Sequence, residues 1–393
     1  MQHILFISTH NLATNPRLQK EIKLALSNGF KVSVICFEFN NWSKQINDGL
    51  LKELSAVNWI ILSSGRTAFL PWLQSVFAEK LSRFLGKTGL PMSKTQLASA
   101  VSRRNYLLLK ALQNVESPDL VVGHNPGALF ATYYAAHKFR CRAGFDVEDY
   151  HPGEGSNILL QELCKKLMQK ILPEMDYVSF AAPLIREAVK SDLGAEGENW
   201  ITVLNYFPAD EFKEPVKTEG PLKMVWFSQN IAARRGLEMI LPIIKKRTGE
   251  VELHLFGNLD ANFEPALQGI ENIKIHGPLP QKSLHQQLCH YDIGLALEPS
   301  KDRNNDLAVS NKLLTYLQAG LYVLASNTAA QEKIGEIFPA HCSIFIKDEL
   351  EAAIKKLLLN MEMIRADKRQ LYETFQTINW DSENKRLLNC WKK

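Results

Sequence analysis

The segment HILFISTHNLATNPRLQKEIKLALSNGFKVSVICF, residues 3–37, sets the architecture. HILFIS (3–8) and KVSVICF (31–37) are apolar runs of strand length. Between them RLQKEIKLALSNG puts Leu18, Ile22 and Leu26 on one helical face and stops at Gly29. A strand, a helix and a second strand in this order need a right-handed crossover, and therefore a parallel sheet. The alternation continues through NWIILSS, a helical region from about 70 to 115, DLVVGH, ALFATYYAAHKF, RAGFDVED, a helix over about 157–171, DYVSFA, PLIREAVKSDLG and ITVLNY. It predicts a doubly wound α/β domain over residues 1–206.

FPADEFKEPVKTEGP, residues 207–221, is rich in proline and charge and reads as a linker. A second series follows over residues 222–375: LKMVWFS, RGLEMILPIIKKR, VELHLFG, NIKIHGPL, SLHQQLCHY, DIGLALEP, NKLLTYLQAG, YVLAS and a helix from Glu349 to Asn360. Residues 376–393 form a tail. Two Rossmann-like α/β domains facing a central cleft are expected, with ligands at the carboxyl ends of the strands.

A chain of 393 residues exceeds one ordinary core, in keeping with two domains. Its net charge of +4 is too small to argue for nucleic acid. The six cysteines are scattered without a C-x-x-C pair, which gives no zinc site and fits a reducing compartment. Neither a signal-peptide pattern nor a long apolar run is present, so a cytoplasmic protein is expected.

Two loops of the second half carry the chemistry. Ser310, Asn311 and Lys312 precede the helical run LLTYLQA, where free N–H groups and a partial positive charge favour an anion. An ordinary N-cap beside a solvated lysine is the plainer reading. Arg234 and Arg235 stand before Gly236 in a second strand-to-helix loop, so one diphosphate could be held from two sides; two surface arginines are the plainer reading there. Gly257-Asn258 and Gly277 end strands, where glycine permits close approach to a ligand or makes a simple turn. A G-x-G-x-x-G fingerprint is lacking, which argues against NAD or FAD.

The ordered run FSQN…RRGLE, HLFGN, IHGPLPQKSLHQQLCHYDIGLALEPS and SNKLLTYLQAGLYVLAS resembles the C-terminal domain of glycosyltransferase family 4 enzymes, which have the GT-B fold. NPRLQKEIKLALSNGFKVSVI and PDLVVGHNP resemble the N-terminal domain more loosely, and INWDSENKRLLNCW resembles the terminal helix that crosses back to it. The resemblance implies retaining transfer from a nucleoside diphosphate sugar, such as a UDP- or GDP-sugar, to a glycan or lipid-linked glycan of bacterial surface polysaccharide. No metal or other cofactor is implied. Arg234, Arg235, Ser310, Asn311 and Lys312 would hold the diphosphate. Gly257, Asn258, Gly277, Leu279, Glu298 and Thr315 would line the nucleotide and sugar.

The chain departs from the family pattern in two places. Leu307 and Thr315 stand where the E-x(7)-E motif is common, and Glu298 is the acidic residue ahead of that loop. Where such enzymes carry a His at a strand end, this chain has Glu148, with Asp146, Asp149 and His151 beside it. Glu148 and Asp149, together with His124 after DLVV, are the catalytic candidates, able to orient a hydroxyl or act as a base. A polar loop that caps helices is the plainer reading. Asn15, Arg17 and His151 are expected on the acceptor side. A nucleotide-sugar epimerase and a non-catalytic nucleotide-sugar-binding subunit are the alternatives.

From Arg66 to Lys110 eight cations face one anion, Glu79. Within this stretch TAFLPWLQSVFAEKLSRFLGK is an amphipathic helical pattern. Either its apolar face packs on the sheet, or the helix lies on an anionic membrane surface and makes the protein peripheral on the inner face of the cell membrane.

Overall fold

The computed structural model describes residues 2–63, 65, 69–194 and 196–393. It divides into two compact units, the first reaching to Val203 and including Arg386–Lys393, the second spanning Leu204–Lys385. Arg66, counted in the basic stretch, and Thr67 and Ala68 of the amphipathic pattern lie outside the described residues.

The first unit is built on β1 (His3–Ser8), β2 (Lys31–Glu38), β3 (Asn58–Ser63), β4 (Leu120–His124), β5 (Arg142–Val147), β6 (Tyr177–Phe180) and β7 (Trp200–Thr202). They form one parallel sheet in the order β3-β2-β1-β4-β5-β6-β7. β1 and β4 are buried along their whole length, as central strands of a sheet covered on both faces must be. The helix Pro16–Ser27 starts where the sequence signals it, with Pro16 in the first turn and the Asn15 side chain accepting the Leu18 N–H at 2.9 Å.

The second unit carries β8 (Leu222–Ile231), β9 (Val251–Leu259), β10 (Ile273–His276), β11 (Ile293–Ala296), β12 (Tyr322–Ser326) and β13 (Cys342–Phe345). Their order is β10-β9-β8-β11-β12-β13, again all parallel. One core gathers Trp226, Leu237, Ile240, Leu253 and Leu295; another gathers Leu313, Tyr316, Val323 and Phe375.

Residues 207–221, expected as a linker, are packed along the second unit. Phe207 and Phe212 are buried in its core, and the Phe207 N–H donates to Gln318 Oε1 at 2.9 Å. The aromatics among the prolines hold the segment down, because their burial outweighs its polar composition. Thr218 donates to Asp292, which leads into β11.

The helix Trp380–Trp391, within the tail expected to cross back, begins in the second unit and ends in the first. There Trp391 packs edge-on against Phe6 and Phe30, and its Nε1–H donates to the Tyr177 hydroxyl at 2.8 Å. The Arg142 guanidinium donates to the Cys390 carbonyl at 2.6 Å.

Asp292 is a fully buried anion that ties several segments together. It accepts the Lys223 N–H at 3.0 Å, and Arg365 and Lys368 of the helix Met361–Phe375 lie 3.2 and 3.6 Å away. Removing it leaves the buried Lys368 without a counter-ion and takes from Arg365 the nearer of its two acidic neighbours. Asp292→Ala is expected to lower the unfolding free energy of the second unit by about 3–5 kcal/mol, read from urea denaturation. A loss below about 1 kcal/mol would show that the pair contributes no more than a surface bridge.

Candidate functional site

The register of the first sheet lines up a polar row at its carboxyl edge. Ser8 of β1 pairs with His124 of β4, His124 with Asp146 of β5, and Asp146 with Ser179 of β6. Residues in register on parallel strands point to the same face, so these side chains share one layer. All four are buried. The helix Pro16–Ser27 adds Arg17 and Glu21 one turn apart, also buried.

The resulting cluster is a network of opposite charges. Arg17 lies 3.2 Å from Glu21 and 3.2 Å from Asp146, and donates to the Val203 carbonyl at 2.7 Å. His124 is held between two carboxylates: Nδ1 is hydrogen-bonded to Glu148 Oε1 at 3.1 Å, and Nε2 lies 3.2 Å from Glu21 Oε2. With a carboxylate facing each ring nitrogen, one by a hydrogen bond and one by charge alone, the imidazolium is the favoured form. Burial alone would lower the His124 pKa, but the charge of Glu21, with the hydrogen bond of Glu148, pushes it up to about 10.

The carboxylates differ in turn. Burial raises Asp146 to about 6 despite Arg17 beside it. Burial works in the same direction on Glu148, but the hydrogen bond and charge of His124, with Arg17, hold Glu148 below the usual carboxylate range. Glu148 is also the member that reaches the surface, with 21% of its side chain exposed against none for Glu21, Asp146 and His124. The cluster therefore presents one ionised carboxylate outward on a fixed base.

His124, Asp146 and Glu148 each offer an atom within 4.8 Å of the others, a spacing that could hold a metal ion.

Asn15 and Arg17, expected on the acceptor side, are buried; Arg17 is 1% exposed and turned inward. Asp149 sits on the rim, its carbonyl accepting the His151 N–H at 3.0 Å. The His151 ring is paired with Glu154 at 2.7 Å. Burial would lower the His151 pKa, and Glu154, Asp149 and Glu148 raise it. Asn125, next to His124, has φ 68°, ψ 145°, a conformation that asparagine rarely takes. Its side chain accepts from the Ser8 hydroxyl at 2.9 Å.

In the second unit the two basic loops meet at the end of β11. Gly236 (φ 88°) lies so close to this strand's exit that a Cβ there would be 2.7 Å from Leu297 Cβ and 2.9 Å from its carbonyl oxygen. Arg234, two residues earlier, is also left-handed at φ 62°, and its N–H donates to Glu238. Glu298, next to Leu297, accepts the Ser310 hydroxyl at 2.8 Å and is ion-paired with Lys312. The loop of Arg234 and Arg235, through Gly236, and the segment of Ser310 and Lys312 thus adjoin the same two residues. Ser310 occupies the N-cap position of the helix Asn311–Gln318, but its side chain makes no capping bond and is turned to Glu298 instead. The plain-cap reading therefore does not describe its hydroxyl.

The other expected contacts are less uniform. Asn311 Oδ1 accepts from Asn205 at 2.8 Å. Gly257 (φ 147°) permits β9 to press on the irregular part of β8, where a Cβ would meet the Ser228 carbonyl at 2.4 Å. Asn258 donates to the Gln229 carbonyl at 3.0 Å. Gly277 has open space around it, and Leu279 is exposed. Thr315 is buried and donates to the Asn311 carbonyl of its own helix at 2.7 Å, so its hydroxyl is used within that helix.

Sequence reasoning missed Glu21 and passed over Asp146 as a mere neighbour. The available signal was N-P-R-x-x-x-E, a cap followed by a cation and an anion four residues apart.

No family model and no curated protein sequence matches the chain. Solved structures do match. HepE of Anabaena in complex with UDP is similar at TM-score 0.68 and 12% identity, over 100% of both chains; a complex of HepE with UDP-glucose is similar at TM-score 0.65. Sucrose-phosphate synthase of Thermosynechococcus elongatus is similar at 0.69 and 12%, over 100% of this chain and 98% of that one. A mutant of S. aureus TarM in complex with fondaparinux, alpha-GlcNAc-glycerol and UDP is similar at 0.67 and 9%, over 100% of both. At these identities the likeness is one of fold, and the fold is GT-B.

The buried His124 has a consequence for stability. Its pKa is about 10 in the folded chain against 6.5 unperturbed, so its stabilising effect is complete below pH 6.5 and lost as pH rises through 10. Within that window the first unit should lose about 1.4 kcal/mol per pH unit from this group. Urea denaturation from pH 6.5 to 10 should show a shallower decline for His124→Asn than for the unaltered chain. Equal slopes would remove the imidazolium assignment.

Proposed function

We propose that the chain is a retaining glycosyltransferase of the family 4 kind. It would move a sugar from a nucleoside diphosphate sugar to a glycan or lipid-linked glycan of bacterial surface polysaccharide. The observation that carries this reading is the meeting of the Arg234-Arg235 and Ser310-Lys312 loops at Leu297-Glu298. Cations and the N-terminus of the helix Asn311–Gln318 gather at the carboxyl end of a parallel sheet, where such folds bind nucleotides. UDP in solved structures of the same fold supports the choice of donor. The unpaired state of the six cysteines agrees with work in the cytoplasm.

In this reading Lys312, Arg234 and Arg235 hold the diphosphate, whose negative charge grows as the glycosidic bond breaks. A cation that binds the developing charge more tightly than the ground state lowers the barrier. Lys312 is held ready by Glu298 and would turn to the phosphate when the donor arrives. Within the first unit Glu148, ionised and partly exposed, is the group suited to accept a hydrogen bond from a sugar hydroxyl. His124, Glu21, Asp146 and Arg17 position that carboxylate, and His124 as an imidazolium is not a base.

A panel of UDP-, GDP- and ADP-sugars should contain one that raises Tm, since a ligand at about 100 times its Kd stabilises by about 2.7 kcal/mol. Lys312→Ala should weaken that donor by about 10- to 100-fold, the loss of one or two charged hydrogen bonds. Glu148→Gln should keep donor binding and lower sugar transfer or donor hydrolysis by about 100-fold or more. No binding or hydrolysis across the panel, with Lys312→Ala indistinguishable from the parent, would end the reading.

A further inference from the structure

The helix Phe69–Lys87 is packed with its apolar face outward. The residues it buries are Ser75 and Ser82, and Gly86 lies on the same side, where a Cβ would touch the Leu163 side chain at 3.0 Å. On the opposite side Phe69, Leu70, Leu73, Phe77, Leu81 and Phe84 are exposed, Leu70, Phe77 and Phe84 to more than 60%. At about 100° per residue these six fall within an arc of about 120°, a continuous stripe rather than scattered exposure. The sequence pattern left two orientations open, and the structure takes the one that does not pack on the sheet.

The charges on the stripe identify what it fits. Lys80 and Lys87 are exposed and lie in the same arc as the phenylalanines. The acid of this helix, Glu79, is turned to the flank and bound to Arg83 at 2.8 Å, while Arg83 also donates to the Ala100 carbonyl at 2.9 Å. The outward face therefore carries apolar and cationic groups and no anion. A second copy of the chain is a poor partner, because a two-fold contact along this helix would bring Lys80, near its midpoint, against its own copy. No helix among the described residues is long and apolar enough to cross a membrane.

We infer that the outward face of Phe69–Lys87 is a docking surface for an anionic lipid bilayer, with the phenylalanines and leucines entering the headgroup–acyl boundary and Lys80 and Lys87 meeting lipid phosphates. A helix of this kind lies in the plane of the interface at a depth of about 5–10 Å. Its strength combines buried apolar area with about 1 kcal/mol for each cation near the surface, or roughly fivefold in partition for each.

The test is flotation of the full chain with vesicles of phosphatidylcholine alone or with about one third phosphatidylglycerol. The chain should float with the anionic vesicles and remain below with the neutral ones. Phe77→Ser with Phe84→Ser should lower the bound fraction by about tenfold or more. Lys80→Glu with Lys87→Glu should lower it by about 30-fold or more. All four side chains point away from the core, so Tm should hold in both variants; if the phenylalanine pair unfolds, the lysine pair decides. Failure to float with anionic vesicles overturns the inference, as does flotation of a folded lysine variant equal to the parent. A dimer that the phenylalanine variant splits, without vesicle binding, also overturns it, in favour of a second copy. The measurement uses no sugar donor, so its failure is separate from failure of the transferase reading.

Discussion

In each sheet the strand order turns back once, at the β1–β4 pair in the first unit and at the β8–β11 pair in the second. Connections on either side of such a pair leave toward opposite faces, so the loops part and backbone groups at the strand ends stay accessible. Both candidate regions sit there. His124 ends β4 beside Ser8 of β1, and Leu297-Glu298 follow β11 beside the loop after β8. The topology fixes where ligand chemistry can occur before any catalytic side chain is chosen.

The two units solve opposite electrostatic problems at these places. The first buries two carboxylates, Glu21 and Asp146, and half-buries a third, Glu148, with Arg17 and His124 as counter-charges. Such a set is tolerable in a dry interior only if nearly every charge is paired, and the pairing fixes the protonation of the ring. The second unit leaves Lys312 and the arginines of its loop at a sheet edge, with Glu298 as the acid placed against Lys312. One region is a paired network around a buried ring, the other a lysine–glutamate pair beside two further cations of a neighbouring loop.

Much of this was legible in the sequence. β1, β2, β8 and β11 are short apolar runs, and Asn15-Pro16 marks its helix start, because strand burial and capping are local signals. Ser310 and Lys312 were legible for the same reason, standing together before a helix. The Glu21–His124–Glu148 contact was not, since it joins three distant stretches through sheet register. The helix Phe69–Lys87 shows a different limit. Periodicity reveals that a helix has an apolar side, while the direction of that side depends on its neighbours. The small residues Ser75, Ser82 and Gly86 were the available hint, because close helix contact favours them. Residues 207–221 misled through proline and charge, which masked the anchoring of Phe207 and Phe212.

The position of Trp391 bears on how the chain is made. It fills a place between Phe6, Phe30 and Tyr177, all of which leave the ribosome long before it does. The earliest-born sheet must therefore wait, with an apolar gap beside β1, until all of the second unit has been translated. Until then the apolar side chains that Trp391 covers, Phe6 and Phe30, stay exposed on that side of the sheet.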